Sequence, residues 1–304
     1  MPCKRFTKET TMIKITNLSK SFGQHLVLKD LNLTISEGTI FGLVGINGAG
    51  KSTLLRLMAG VYQADQGSIT YDGKEVYDQE EVKQNIFFLA EDPYFSTNTT
   101  GGKLLTLYET FYSVDTEAFY KMIREFHLDP QLPLQRFSKG MRRQMFIALA
   151  IACKPKVLLL DEAFDGLDPL ARLSFKRSLI TLSQECATTV VISSHSLREL
   201  EDICDVYGLL DHQTISSSGQ IETELEKVHK YQVAFSKEME AHDFTDFDVL
   251  HYEASGRICR LVIRGQLEDI TRQLEAMQPL LIDEIPIDFE ELFMYEVESK
   301  GYLS

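Results

Sequence analysis

Hydrophobic and polar positions divide this chain into stretches of different period. Met12 to Leu18 and Leu26 to Ile35 mix polar with β-branched and apolar residues, as half-buried strands do. After a turn at Ser36-Glu37-Gly38, the run Thr39-Ile40-Phe41-Gly42-Leu43-Val44 predicts a buried strand. It leads into the glycine-rich Gly45-Ile46-Asn47-Gly48-Ala49-Gly50 and then a helix through Leu54, Leu55, Leu57 and Met58. Between about Gly101 and Pro130 the spacing turns helical, with Leu104, Leu105 and Tyr108, then Phe119, Met122, Ile123 and Phe126, one helical turn apart. Two further apolar runs, Val157 to Leu160 before Asp161-Glu162 and Val190 to Ile192 before Ser193-Ser194-His195, read as central parallel strands. The C-terminal ends of such strands carry ligands in open α/β sheets.

Past Gly219 the pattern changes. Glu222 to Lys230 reads as a charged helix, Tyr231 to Phe235 and Ile258 to Ile263 as strands, and Leu267 to Met277 and Phe289 to Val297 as helices. These predict a small α+β unit over 220–304, large enough for a separate domain. Residues 1–11 are polar and carry Lys4, Arg5 and Lys8 with no apolar segment behind them, so they are read as a disordered extension rather than a signal peptide, with Met1 and Met12 both open as starts.

Length and composition narrow the class. A chain of 304 residues has room for two domains, and 44% hydrophobic with 25% charged residues fits an ordinary globular protein. No apolar run approaches the roughly 20 residues that a membrane-spanning helix needs. The net charge is −14, and Ile221 onward holds 19 acidic against 8 basic residues. Such a field repels phosphate backbones, so nucleic acid is not an expected partner of this tail. Five scattered cysteines without a C-x-x-C pair suggest a reducing compartment and neither a disulfide framework nor a zinc site.

The segment Gly45-Ile46-Asn47-Gly48-Ala49-Gly50-Lys51-Ser52, followed by Thr53, fits G-x-x-x-x-G-K-[ST] without mismatch, between a strand and a helix. Glycines let the loop wrap so that successive backbone N–H groups face phosphate oxygens, and the helix N-terminus adds partial positive charge. Lys51 is expected to bridge the β- and γ-phosphates, and the Ser52 hydroxyl to ligate Mg²⁺. A carboxylate is needed opposite this loop. Asp161 at a buried strand end supplies it, as a metal ligand directly or through water, with Glu162 polarising the attacking water. The adjacent carboxylates would otherwise need salt bridges.

With these residues in order, the chain resembles the ATP-binding-cassette (ABC) ATPases over roughly Met12 to Gly219, and looks like the nucleotide-binding subunit of an ABC transporter. The resemblance implies an α/β, P-loop fold of ABC type: a parallel core sheet, an antiparallel edge sheet and a helical subdomain at about 95–150, in a domain spanning 12–219. It also implies ATP and Mg²⁺ as ligands. Phe22, by itself as readily a core residue, matches the aromatic that stacks on adenine. Ser138-Lys139-Gly140-Met141, by itself a helix N-cap, matches the signature that caps the γ-phosphate of a second subunit. Asp168 in Asp165-Gly166-Leu167-Asp168-Pro169 matches the D-loop aspartate, and His195 the switch histidine.

The pattern departs from the family in places. Glu91 stands where a glutamine is usual in the loop that contacts Mg²⁺ and the membrane partner, Phe137, Lys139 and Met141 loosen the signature, and Ala163 follows the acidic pair. The expected partners are separately encoded transmembrane permease subunits and a second ATPase subunit, in a homodimer or heterodimer, on the inner face of the cell membrane in the cytoplasm. The competing class, a soluble ABC-type ATPase acting on DNA or ribosomes, inserts long coiled coils or carries two cassettes. Here one phosphate loop, one signature and 86 residues from Lys51 to Phe137 favour the transporter. The ending Phe289-Glu290-Glu291-Leu292-Phe293-Met294-Tyr295-Glu296 is similar to that of cassettes serving bacterial type-2 exporters; Leu292, Phe293 and Val297 also define an apolar helix side for packing. Residues 220–304 are read as an accessory unit for dimerisation or regulation.

Overall fold

The structure, a computed structural model, describes residues 11–299. The expected N-terminal extension lies, apart from Thr11, outside them. Two compact units divide the chain, one ending at Ser218 and the other starting at Gly219.

In the first unit, β1 (Thr11–Phe22), β2 (His25–Ser36), β3 (Ile40–Val44), α1 (Lys51–Met58), β4 (Gln66–Tyr71), β5 (Lys74–Glu75), α2 (Glu80–Lys83) and β6 (Ile86–Leu89) come first. Then follow α3 (Gly101–Tyr108), α4 (Thr116–Glu125), α5 (Lys139–Ala152), β7 (Val157–Asp161), α6 (Pro169–Cys186), β8 (Thr189–Ser194), α7 (Leu197–Glu201), β9 (Val206–Asp211) and β10 (Thr214–Gln220), whose last two residues fall past the division. β2-β1-β4-β5 form an antiparallel sheet, while β10-β9-β3-β8-β7-β6 form a second whose five strands from β9 to β6 run parallel.

Strand burial explains the parallel pairing. Every residue of β3, β7 and β8 is buried, as a strand covered on both faces must be. After β3 the chain leaves for the far edge at β6 and returns through β7 and β8, then resumes on the other side of β3 at β9, which makes the end of β3 the topological switch point. Helix α1 starts there and is wedged between the sheets. Its Leu54, Leu55, Leu57 and Met58 are all buried, packed in one cluster with Ile13, Ile15 and Leu31 of the edge sheet and Phe41, Leu43 and Leu159 of the core sheet. These four residues share one broad side of α1, and a setting with a sheet on either hand buries all of it.

The helical subdomain has its own start signals. Thr100 caps α3 through the N–H of Lys103, Asp115 caps α4 through that of Ala118, and Ser138 caps α5 through that of Met141. Lys154, just past α5, reaches back to Asp115 at 2.7 Å and so ties the two helices together.

The second unit contains α8 (Ile221–Leu225), β11 (Val228–Ala234), β12 (Asp248–Ser255), β13 (Ile258–Arg264), α9 (Leu267–Ala276), β14 (Leu281–Ile285) and α10 (Phe289–Ser299). The strand order β12-β13-β11-β14, all antiparallel, is that of a split β-α-β fold with the first helix reduced to a short turn at Ala241–Phe244. The helix expected over Glu222 to Lys230 stops at Leu225. Val228, His229 and Lys230 instead pair with Arg264, Ile263 and Val262 of β13, because the sheet satisfies their backbone groups and outweighs the helix propensity of a charged stretch. On one sheet face Tyr231, Val233 and Leu261 pack with Ile270 and Leu274 of α9. On the other, Lys230 pairs with Glu291 of α10 at 2.6 Å. Phe289 and Leu292 of α10 are buried, Phe293 is half-buried, and the Val297 side chain lies outside the described residues. Among the described residues no helix is long and apolar enough to cross a membrane.

Leu274 has no exposed surface and lies at the centre of the second unit's core. Leu274→Ala is expected to cost about 2–5 kcal/mol, lowering the melting midpoint of that unit by about 10 °C or more. Calorimetry should leave the transition of the first unit in place.

Candidate active site

A cavity of about 540 Å³ opens where β3 ends, lined by Asn47, Gly48, Gly50, Lys51, Ser52, Thr53, Glu91, Glu162 and His195, together with His25, Val27 and Asp165. The backbone that shapes it depends on glycine. Gly48 and Gly50 have φ of 84° and 107°, in the region where side chains are rarely accommodated. At Gly45 a Cβ would lie 2.5 Å from the carbonyl oxygen of Leu210. Gly50 is the N-cap of α1 and offers no side chain, and the first turn contains no acid, so the end of this helix keeps N–H groups and partial positive charge for an anion. Lys51 is buried. Its ammonium donates to the carbonyls of Gly45 at 2.7 Å and Ile46 at 3.3 Å, and lies 3.5 Å from Glu162.

Facing the loop, the β7 end carries Asp161 and Glu162. Asp161 is fully buried, and its Oδ1 accepts from Ser52 Oγ and Ser193 Oγ, both at 3.0 Å. Its Oδ2 is buried with no hydrogen-bond partner. A buried carboxylate oxygen left unpaired is costly, and an all-oxygen set with Ser52 suits a hard divalent cation. Glu162 adopts φ 49°, a left-handed conformation that costs a non-glycine residue about 1–3 kcal/mol. The peptide is held from both sides: its N–H donates to Ser193 Oγ at 3.0 Å, and its carbonyl accepts from the N–H of Asp165 and from the Arg143 guanidinium.

The Glu162 carboxylate meets His195. Its Oε2 accepts from the His195 backbone N–H at 3.2 Å and lies 2.9 Å from Nδ1. This hydrogen bond raises the pKa of the imidazole; partial burial opposes the shift, and the charges of Glu162, Asp165 and Glu199 add to it.

Sequence spacing gave no sign of Arg143. It lies one turn into α5 with 2% of its surface exposed, and the guanidinium donates to the carbonyls of Glu91, Asp161 and Glu162. Burial pulls its pKa down, and the surrounding carboxylates, Asp165 first, push it back. His25, Val27 and Ser193 are also contributed by the fold alone. Glu91 lines the cavity, but its carboxylate is turned to Lys139, 3.8 Å away, so these two departures from the family pattern meet as an ion pair.

Other expected residues are elsewhere. Phe22 is 45% exposed, with its edge against Tyr62, so it is not core, and it does not line the cavity. Ser138, Gly140 and Asp168 do not line it either. Gly140 packs against the loop after β7, where an added Cβ would lie 2.2 Å from the Gly166 oxygen. Asp168 caps α6 through the N–H groups of Leu170 and Ala171, and these bonds lower its pKa; its other oxygen accepts from Gln144 of α5.

The chain is similar to known proteins in sequence and in fold. The sequence profile of the family described as ABC transporter matches residues 28–165. The ABC transporter ATP-binding protein YtrB of Bacillus subtilis is 28% identical over 290 residues, covering 95% of this chain and 99% of YtrB. The lantibiotic transport ATP-binding protein SrtF of Streptococcus pyogenes is 30% identical over 230 residues, or 74% of this chain and 99% of SrtF. A solved structure of an ATP-binding subunit of an ABC transporter superposes with a TM-score of 0.64 at 26% identity, over 70% of this chain and 92% of that one.

The His195 contact sets a pH dependence. Its folded pKa lies above the unfolded one, so the stability this contact contributes is full below the ordinary imidazole value of about 6.5 and is lost as pH rises through the raised value. NMR titration should place the His195 midpoint above the ordinary imidazole value of about 6.5, and Glu162→Gln should bring it down.

Proposed function

The chain belongs to the ABC transporter ATP-binding proteins, and we propose that it is the motor subunit of a transporter whose membrane-spanning subunits are separate chains. It binds and hydrolyses ATP. The observation that carries the assignment of its machinery is the convergence of Lys51, Ser52, Glu162 and His195 on one cavity, beside a buried and unpaired oxygen of Asp161.

In this reading the loop from Gly45 to Thr53 wraps the phosphates, and Lys51 exchanges its carbonyl partners for β- and γ-phosphate oxygens. Ser52 and Asp161 would hold Mg²⁺, with Glu91 lining the same cavity; the ion would supply positive charge against the phosphates. Glu162 accepts the proton of the attacking water, and His195 orients the Glu162 carboxylate. Phe22, exposed next to Tyr62, offers its ring to adenine.

Two subunits are required because Ser138, Gly140 and Asp168 lie outside their own chain's cavity. The N-terminus of α5 then completes the phosphate site of the other subunit, so ATP-driven association is the motor step. Exposed Tyr94, shortly after Glu91, and exposed Leu107 and Phe111, in and just after α3, support docking of the membrane subunits on this part of the chain. The transport direction assigned is export, on the tail pattern from Phe289 to Glu296, and the second unit serves assembly or regulation. The length of the match with YtrB, which takes in both units, supports reading them as one working subunit.

Glu162→Gln should leave ATP affinity intact and slow hydrolysis by about 10²–10⁴-fold, so that an ATP-bound dimer accumulates in sedimentation. Hydrolysis at the wild-type rate would refute the assignment of Glu162. Lys51→Ala should instead weaken nucleotide binding, measured by titration.

Glu91 generates a separate test. Glu91→Gln removes a negative charge beside the cation and should move the Mg²⁺ concentration for half-maximal ATPase upward. An unchanged midpoint would mean that the carboxylate stays with Lys139.

A further inference from the structure

Behind His195 lies a second set of charged contacts that the chemistry above does not use. Glu199, in α7, has 9% of its surface exposed, and both of its carboxylate oxygens are engaged. Oε2 accepts from Ser194 Oγ at 3.0 Å, and Oε1 lies 2.9 Å from the Arg172 guanidinium. Ser194 Oγ in turn accepts from the N–H of Ser196 at 3.0 Å. The two serines that flank His195 are therefore pinned to each other and to Glu199. At five residues α7 is too short to hold its shape unaided, and no side chain caps its start.

Arg172 belongs to a different element. It lies one turn into α6, with its N–H bonded to the carbonyl of Asp168 at 2.9 Å. Asp168 is fixed by the first turn of α6 and by Gln144 of α5 at 3.1 Å. The Arg172 Nε is buried without a partner, a desolvation cost that an incidental surface contact does not carry. The contacts run without a break from α5 through Asp168, Arg172, Glu199 and Ser194 to the backbone around His195, whose N–H and ring both face Glu162.

We propose that Arg172 and Glu199 are positioning residues for ATP hydrolysis, an ion pair that clamps the backbone on either side of His195 to the helix starting at Asp168 and so sets how His195 meets Glu162. The inference rests on the roles of Glu162 and His195 proposed above. Neither residue of the pair lines the cavity, so the pair acts on turnover and not on nucleotide affinity. Reacting groups misplaced by about an ångström lose on the order of 100-fold in rate. The movement in question is local, a shift of one short loop.

Arg172→Gln, the isosteric Glu199→Gln, the double variant and the conservative Arg172→Lys test this in the full-length chain. Arg172→Gln and Glu199→Gln should each lower kcat by about 10- to 100-fold, with KM and equilibrium ATP affinity within about twofold of wild type. The double variant should be no slower than the slower single one, because both break the same link, and Arg172→Lys should recover much of the rate. In the nucleotide-free protein, the His195 ring resonances should shift or broaden in Arg172→Gln. Wild-type kcat in Arg172→Gln, multiplied losses in the double variant, or a parallel fall of kcat, affinity and melting temperature would each overturn the proposal. Glu162→Gln, assayed alongside, separates the two failures. An inactive Glu162→Gln beside a fully active Arg172→Gln sinks only the clamp, whereas a fully active Glu162→Gln sinks the catalytic reading and the clamp with it.

Discussion

The buried guanidinium of Arg143 is the contact on which the geometry of this site depends. It takes the carbonyls of Glu91, Asp161 and Glu162 in one fork, and so joins the start of α5, the loop after β6 and the end of β7. Arginine suits this role because its planar donors reach several acceptors at fixed angles and it stays charged despite burial. One of the carbonyls belongs to Glu162, whose left-handed backbone would not persist unless it were over-determined. Arg143 on the carbonyl side and Ser193 on the N–H side supply that constraint. The Glu162 carboxylate is thereby aimed by two residues that hold only its backbone.

A second constraint is the charge left uncompensated by the chain alone. Helix α1 starts on a glycine without a capping side chain, and Asp161 keeps one oxygen unpaired. Each is a modest cost to the folded protein, of the kind that an anion at the helix start and a cation at the carboxylate would remove. Binding energy is thus stored in desolvated groups, and the double-sided burial of α1 between two sheets keeps them from relaxing. Because Gly140 is packed against Gly166 and Asp168 is committed to capping α6, the start of α5 is fixed against the loop after β7 in its own chain.

The sequence by itself determined what is contiguous. The phosphate loop occupies one uninterrupted stretch whose glycines, lysine and serine have local reasons to stand where they do, and the apolar runs before Asp161 and His195 mark strands by burial alone. The ABC fold and the helices α3 to α5 were legible for the same cause: caps and periodicity are short-range signals. Only the tertiary structure decided the rest. Arg143 reads in the sequence as one basic residue of a polar helix start, and its role exists only because β6, α5 and β7 converge. The pairing of Glu91 with Lys139, the linkage from Arg172 to His195 and the arrival of His25 and Val27 at the cavity all join residues far apart in the chain. In the second unit β11 captured Val228 to Lys230 from an expected helix, and the strands β12 and β14 carried too little alternation to stand out. A local pattern fixes the backbone of its own segment, but the partner of a side chain is fixed by packing, and packing depends on every segment at once.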